Sequence, residues 1–307
     1  MLKPRALVPG DRIALVSPAS PFSRDDFDRG VAELRTLGFE PTYDESVFAR
    51  QGYVSGPPEL RARALRAAWT DPSIAALVGV RGGYGSAQML PLLDRNELRA
   101  SPKIFVGYSD LTMILSLLTT GCGIVAFHGP MIERRLSHGA DGYDRASFSS
   151  ALCRREAMGE LAPPGLETIR SGEASGPLFG GTLTQLLASL ATPYVFDPPR
   201  GCVLFIDEVG ERPYRLDRMM TQLRHSGLLA RASAVVVGEL PRCDEADGAM
   251  TGRAVMADLL RDFSGPVIAG FPSGHTAGPT FTLPLGVRCR VVADSRPRLV
   301  IEESAVQ

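Results

Sequence analysis

Few side chains in this 307-residue chain are spaced for covalent chemistry, and one serine stands out. The stretch Gly107-Tyr108-Ser109-Asp110-Leu111-Thr112 follows the apolar run Ile104-Phe105-Val106 and leads into another, Met113–Leu118. This pattern predicts a buried strand, a tight turn through Gly107 and a helix starting near Asp110. Such a turn lifts its apical side chain out of the packed layers and aims backbone N–H groups at it, as a serine nucleophile requires.

A serine also needs a base, and the chain has four histidines. His138 lies in a polar stretch, and His225 falls in the last turn of a predicted helix, where it complements the dipole. His128 ends a strand and could line a cleft. His275 sits in the glycine-flanked loop Phe271–Gly278 just after a strand, from which a side chain can reach into a site. The chemistry favours His275 and leaves His128 open. The acid that orients the base should also end a strand, and Asp207 and Glu208 directly follow Cys202–Ile206. Consecutive strand residues face opposite sides, so only one of the two can point at a site. The plainer alternative is that both pair with Arg212, Arg215 or Arg218. A third strand end carries Val80-Arg81-Gly82-Gly83-Tyr84-Gly85-Ser86. It lacks the dinucleotide and phosphate-loop patterns. Its glycines suit a close backbone approach, as in an oxyanion hole or a plain tight turn, and Arg81 is available for a carboxylate.

The elements that must position these residues alternate along residues 12–130. A strand Arg12–Val16 precedes a helix capped by Ser23 and stopped by Gly38. A helix Glu59–Trp69, a strand Ile74–Val80 and a helix near Ala87–Leu93 follow. Strands written as unbroken apolar runs predict a doubly wound parallel sheet covered by helices. Residues 132–178 turn polar and weakly periodic, with one helix over Tyr143–Leu152. From Gly180 helices and strands alternate again, and the tail Phe281–Glu302 reads as antiparallel strands. The expected organisation is α/β: a parallel-sheet domain over 1–135, a linker over 136–178, and a smaller α/β domain over 179–307 with a mixed or barrel-like sheet.

Composition narrows the function. A balance of 44% hydrophobic and 22% charged residues is that of a globular protein with a real core. A net charge of -1 argues against nucleic-acid binding. No apolar stretch is long enough for a membrane span, and the N-terminus is a poor signal peptide because Pro9, Gly10, Asp11 and Arg12 interrupt it. Five scattered cysteines without C-x-x-C spacing indicate neither a disulfide framework nor zinc, so a cytoplasmic setting is expected.

Taken together, these blocks resemble the serine LD-carboxypeptidases, also called murein tetrapeptide carboxypeptidases, with the microcin-C self-immunity peptidases as a branch. The resemblance runs nearly end to end: Pro9-Gly10-Asp11-Arg12-Ile13, Arg81–Gly85, Gly107–Asp110, Phe127-His128-Gly129-Pro130-Met131, Gly180–Leu183, Asp207–Glu211 with Pro213–Arg218, Gly274-His275 and Thr282–Gly286. Thr182 stands where the family usually has Asn. The resemblance implies a triad in the order serine, acid, histidine, with Ser109 as nucleophile and His275 as base. It implies an oxyanion hole from the Asp110 N–H and the glycine loop, Gly82 or Gly83. The family's acid is usually a Glu that opens an acidic pair; that position holds Asp207 here, with Glu208 as the alternative. The implied reaction is hydrolysis of the amide between an L-centre residue and a terminal D-amino acid, the D-Ala of a murein tetrapeptide, in peptidoglycan recycling. Arg81 would meet the substrate carboxylate, no cofactor or metal is needed, and a homodimer is expected. Two rivals are a microcin-C-type peptidyl or aminoacyl-nucleotide amidase and a non-catalytic muropeptide-binding protein. The first would need a stacking aromatic, and the one tryptophan, Trp69, falls on a predicted helix as core.

Overall fold

The apolar runs of the first 130 residues, with the short polar segment Glu40–Thr42, form five parallel strands in the computed structural model, which describes residues 1–307. They are β1 (Arg12–Val16), β2 (Glu40–Thr42), β3 (Ile74–Gly79), β4 (Ile104–Gly107) and β5 (Ala126–His128), in the spatial order β2-β1-β3-β4-β5. Strands β3 and β4 are buried at every position, which is why their sequences show no alternation. Helices Arg24–Thr36 and Pro58–Thr70 pack against the sheet, the first capped by Ser23 as expected and the second opened by Pro58. Residues Ser86–Leu92 form a 3-10 helix rather than an α-helix; Pro91 inside it removes a donor and breaks regular helix geometry. No helix is long and apolar enough to cross a membrane.

The second sheet contains β6 (Gly159–Leu161), β7 (Glu167–Arg170), β8 (Gly172–Thr182), β9 (Cys202–Asp207), β10 (Ala232–Gly238) and β11 (Val267–Phe271). After β12 (Leu283–Leu285), the tail adds β13 (Arg288–Ala293) and β14 (Arg298–Ile301). The order is β6-β14-β13-β8-β9-β10-β11-β7, with β8 to β11 parallel and the flanking pairs antiparallel. This is the mixed sheet expected from the sequence. Strand β12 does not join it. It pairs antiparallel with β5, placing Leu283 opposite His128, so the C-terminal part of the chain supplies an edge strand to the first sheet. Both sheets are therefore mixed, and the first is not purely parallel.

The stretch 136–178, expected as a linker, is ordered structure. Its helix Arg145–Cys153 buries Phe148, Ala151 and Leu152 in the first domain's core. Its strands β6 and β7 close opposite edges of the second sheet. Weak periodicity hid them because β6 and β7 are short and half exposed.

Strand β9 faces two cores. Val203 and Phe205 join the large core shared with the first domain, whereas Cys202, Leu204 and Ile206 pack under the helices of the second. The period of two sends Asp207 to the first-domain side and Glu208 to the helix side. The carboxyl ends of β3, β4, β5, β9 and β11 converge where the two domains meet, the usual place for a site in such sheets.

Candidate active site

The turn after β4 holds Ser109 with φ 61, a left-handed conformation that costs a non-glycine residue about 1 kcal/mol or more. A 3-10 turn, Ser109–Leu111, runs into a short helix, Thr112–Ser116. Asp110 is buried, and its side chain points away from the serine hydroxyl. Its Oδ2 accepts the Ser86 N–H at 2.8 Å while its carbonyl accepts the Ser86 hydroxyl at 2.6 Å, tying the serine turn to the end of the glycine loop. Burial pushes the Asp110 carboxyl above its ordinary pKa, against the pull of those bonds.

Ser109, His275 and Asp207 form one hydrogen-bonded line. His275 Nε2 lies 3.1 Å from Ser109 Oγ, and His275 Nδ1 lies 2.7 Å from Asp207 Oδ2. The Asp207 side chain is fully buried, and its Oδ1 accepts the His275 backbone N–H at 3.1 Å. Burial alone would raise its pKa, but the charge and hydrogen bonds of His275 outweigh that and hold it below the ordinary carboxylate range. An ionised Asp207 accepts only, so Nδ1 carries a proton, and in the neutral ring Nε2 then presents its lone pair to the serine. Thr182 at the end of β8 adds a hydroxyl donor to Asp207 Oδ2 at 3.2 Å. Gly274 allows the close approach. A Cβ there would lie 2.6 Å from Asp207 Oδ2 and 2.5 Å from His128 Cε1, and its φ is 77.

Glu208 faces the other way. Its Oε2 accepts the Thr184 N–H at 2.9 Å and the Thr184 hydroxyl at 2.7 Å, so it caps the helix Leu183–Ala188. Neither acid pairs with Arg212, Arg215 or Arg218; Arg212 bonds Glu245 and Arg215 bonds Glu211.

His128 lies beneath Asp207, fully buried, with Nε2 3.9 Å from Asp207 Oδ2 and no hydrogen-bond partner on that nitrogen. The Ser273 hydroxyl donates to the Phe281 carbonyl, so it accepts from His128 Nδ1 at 2.9 Å. Burial pulls the His128 pKa from 6.5 down to about 4, against a weaker upward pull from Asp207. In the unfolded chain the ring protonates near 6.5. As pH falls from 6.5 toward 4, the unfolded state gains a proton that the folded state does not. Stability is therefore lost across that window, by roughly 3 kcal/mol in all. His128→Phe, which leaves the Ser273 hydroxyl its Phe281 acceptor, is expected to flatten the loss of stability between these pH values in urea titrations. An unchanged slope would exclude a neutral buried His128.

The glycine loop abuts the serine. A Cβ on Gly82 would lie 2.8 Å from Ser109 Cβ, 3.0 Å from its Oγ and 3.4 Å from the Asp110 nitrogen, so only glycine fits. The N–H groups of Gly82, Gly83 and Asp110 donate to no acceptor in the chain. Arg81, expected to be available for a carboxylate, is instead paired. Its Nε lies 3.2 Å from Glu133 Oε2 and its Nη1 donates to the Pro21 carbonyl at 2.8 Å. Sequence reading missed Arg61. This buried arginine donates to the carbonyls of Pro18, Gly56 and Gly85 and to Gln88, pinning the glycine loop from behind. Its signal was present: Arg61 shares the apolar stripe of its helix with Leu65 and Trp69.

Comparison with known proteins adds a second line of evidence. Residues 13–129 match the profile of the LD-carboxypeptidase N-terminal domain, and residues 175–291 match that of the LD-carboxypeptidase C-terminal domain. A Bacillus subtilis protein named as a probable murein peptide carboxypeptidase is 31% identical over 93% of this chain and 90% of its own. Among solved structures, a muramoyltetrapeptide carboxypeptidase from Oxalobacter formigenes superposes with a TM-score of 0.82 at 29% identity, covering 95% of this chain and 99% of its own. The microcin C7 self-immunity protein MccF, in complex with aspartyl sulfamoyl adenosine, superposes with a TM-score of 0.91 at 25% identity over the whole of both chains.

Proposed function

The chain belongs to the LD-carboxypeptidase family, and from that membership we propose that it is a serine peptidase releasing a terminal D-amino acid, D-Ala, from murein tetrapeptide. The observation that carries the serine mechanism is the line Ser109–His275–Asp207 running from one domain into the other. In this reading Ser109 Oγ attacks the carbonyl of the L-centre residue and its proton passes to His275 Nε2. Asp207 holds Nδ1–H and stabilises the imidazolium. The Asp110 N–H, with that of Gly82 or Gly83, receives the oxyanion. His275 then protonates the leaving D-amino acid nitrogen. Water, deprotonated by the same ring, hydrolyses the acyl-enzyme and frees the serine. The purified protein is expected to release D-Ala from murein tetrapeptide. An absence of release, with a folded protein and no fluorophosphonate labelling of Ser109, would leave the non-catalytic muropeptide-binding reading in its place. Cytoplasmic peptidoglycan recycling by a homodimer is the setting that this reading implies.

One observation favours a second substrate class. Trp69 is buried and cannot stack on a ligand, but Tyr53 and Tyr84 are exposed and in edge contact, with ring centroids 5.5 Å apart. The Ser20 hydroxyl joins them, accepting the Tyr84 N–H and donating to the Tyr53 carbonyl, directly beside the glycine loop. An aromatic platform there suits an aminoacyl nucleotide of the kind seen in the MccF complex. Side-by-side turnover of murein tetrapeptide and an aminoacyl-nucleotide amide separates the two. A kcat/KM higher for the nucleotide would reverse the ranking.

A further inference from the structure

The loop that carries His275 is strapped down by side chains from several elements. Asp207 takes the His275 N–H, Thr280 takes the Gly274 N–H at 2.8 Å, and Glu239 takes the Ala277 N–H at 2.9 Å. All of those straps come from the second domain or its tail. The carbonyls of the same loop are held from the opposite side by a single residue of the first domain. Arg135 Nη2 donates to the Gly274 and Thr276 carbonyls, each at 2.9 Å, and its Nη1 donates to the Gly278 carbonyl at 3.0 Å. Its Nε lies 3.3 Å from the Tyr108 hydroxyl, and the guanidinium carbon is 5.9 Å from the Tyr108 ring centroid. Arg135 has no carboxylate partner. Apart from a longer Nη1 contact to the Gly142 carbonyl at 3.4 Å, its donors go to the backbone on both sides of His275 and to the residue immediately before Ser109.

We propose that Arg135 is the positioning residue that sets the His275-to-Ser109 separation; the inference rests on reading His275 as the base. The two reacting side chains sit on different domains, so their 3.1 Å approach depends on how the histidine loop docks onto the serine domain. The planar guanidinium presents five donors in fixed directions, and that fork matches carbonyls arrayed around one loop. A lysine offers a single point of attachment and cannot hold them all at once. Loss of the fork lets the loop drift, and a displacement of about 1 Å can lower turnover about 100-fold.

The test compares wild type, Arg135→Ala and Arg135→Lys for D-Ala release, for the rate of fluorophosphonate labelling at Ser109, and for thermal unfolding. Arg135→Ala is expected to lose about 100-fold in kcat with little change in KM, and to be labelled correspondingly slowly. Free guanidinium ion at sub-denaturing concentration should recover part of that loss, and ammonium should not. Arg135→Lys is expected to fold and to remain well below wild type, which keeps the proposal testable if the alanine variant is unstable. Wild-type kcat in either variant overturns the proposal. So does a loss that appears only in KM, or one that the unfolded fraction fully accounts for. A wild type inert toward both peptide and label removes the serine-peptidase reading and this inference with it. An active wild type beside an equally active Arg135→Ala removes this inference alone.

Discussion

Ser109→Ala is expected to lower D-Ala release by about 10⁴-fold or more, since removing a nucleophile that acts as one unit with its base eliminates nearly all of their joint effect. The fold should survive. The hydroxyl makes one 3.1 Å bond, to His275 Nε2, and losing it costs about 1 kcal/mol at most. Ser109→Gly gives a sharper version. The residue sits at φ 61, where glycine relieves the steric cost that serine and alanine both bear. The glycine variant should therefore be inactive and as stable as wild type or more so, with its thermal midpoint unchanged or raised. Retained turnover in either variant would falsify the nucleophile assignment. A drop in stability on Ser109→Gly would show that the strained turn is not a cost the fold bears for the serine.

The second large effect separates two adjacent acids. Asp207→Asn is expected to cost about 10⁴-fold in kcat, because the carboxylate that selects the His275 tautomer is gone. An amide fits this pocket in one orientation only, with its nitrogen toward the ring. Asp207 Oδ1 accepts the His275 backbone N–H, an obligatory donor, so the amide oxygen must take that place and the NH₂ falls at Oδ2, facing ring Nδ1 and the Thr182 hydroxyl. Turning its amide nitrogen toward the ring would move the imidazole proton to Nε2, where it cannot accept from Ser109. Glu208→Gln, one residue away, is expected to leave kcat within a few-fold of wild type. The Gln oxygen can still accept the Thr184 bonds that cap the helix, but its NH₂ then faces the Val209 N–H that Glu208 Oε1 accepts, so the effect falls on stability, at about 1–3 kcal/mol. Steady-state kinetics and urea midpoints on the two variants decide the matter. The reverse pattern, with Glu208→Gln inactive and Asp207→Asn active, would move the orienting role to Glu208.

Much of the site was legible in the chain because its parts are local. Gly107, Ser109 and Asp110 sit between two apolar runs, and near-neighbour packing is enough to make a strand, a turn and a helix start there. The same holds for β9 ending in Asp207-Glu208 and for the glycine-flanked loop after β11. The family blocks added the order in which these parts are used. The weakly periodic stretch 136–178 was not legible, because half-exposed edge strands leave little pattern, and β12 was not, because its partner β5 lies about 155 residues earlier.

The sequence by itself determined which residues could act: a serine on a tight turn, a histidine on a loop, one of two acids, and a glycine loop. The tertiary structure decided which of them meet. Alternation along β9 requires Asp207 and Glu208 to face opposite sides, but the side that looks at the serine depends on how the second sheet packs against the first domain. Charge pairing is non-local in the same way. Arg81 meets Glu133 rather than open solvent, and Arg135 meets carbonyls about 140 residues away, because ion pairs and backbone acceptors are chosen by distance in the folded molecule. Side-chain type and local spacing set what chemistry is available; the docking of two domains sets which atoms come within hydrogen-bond reach.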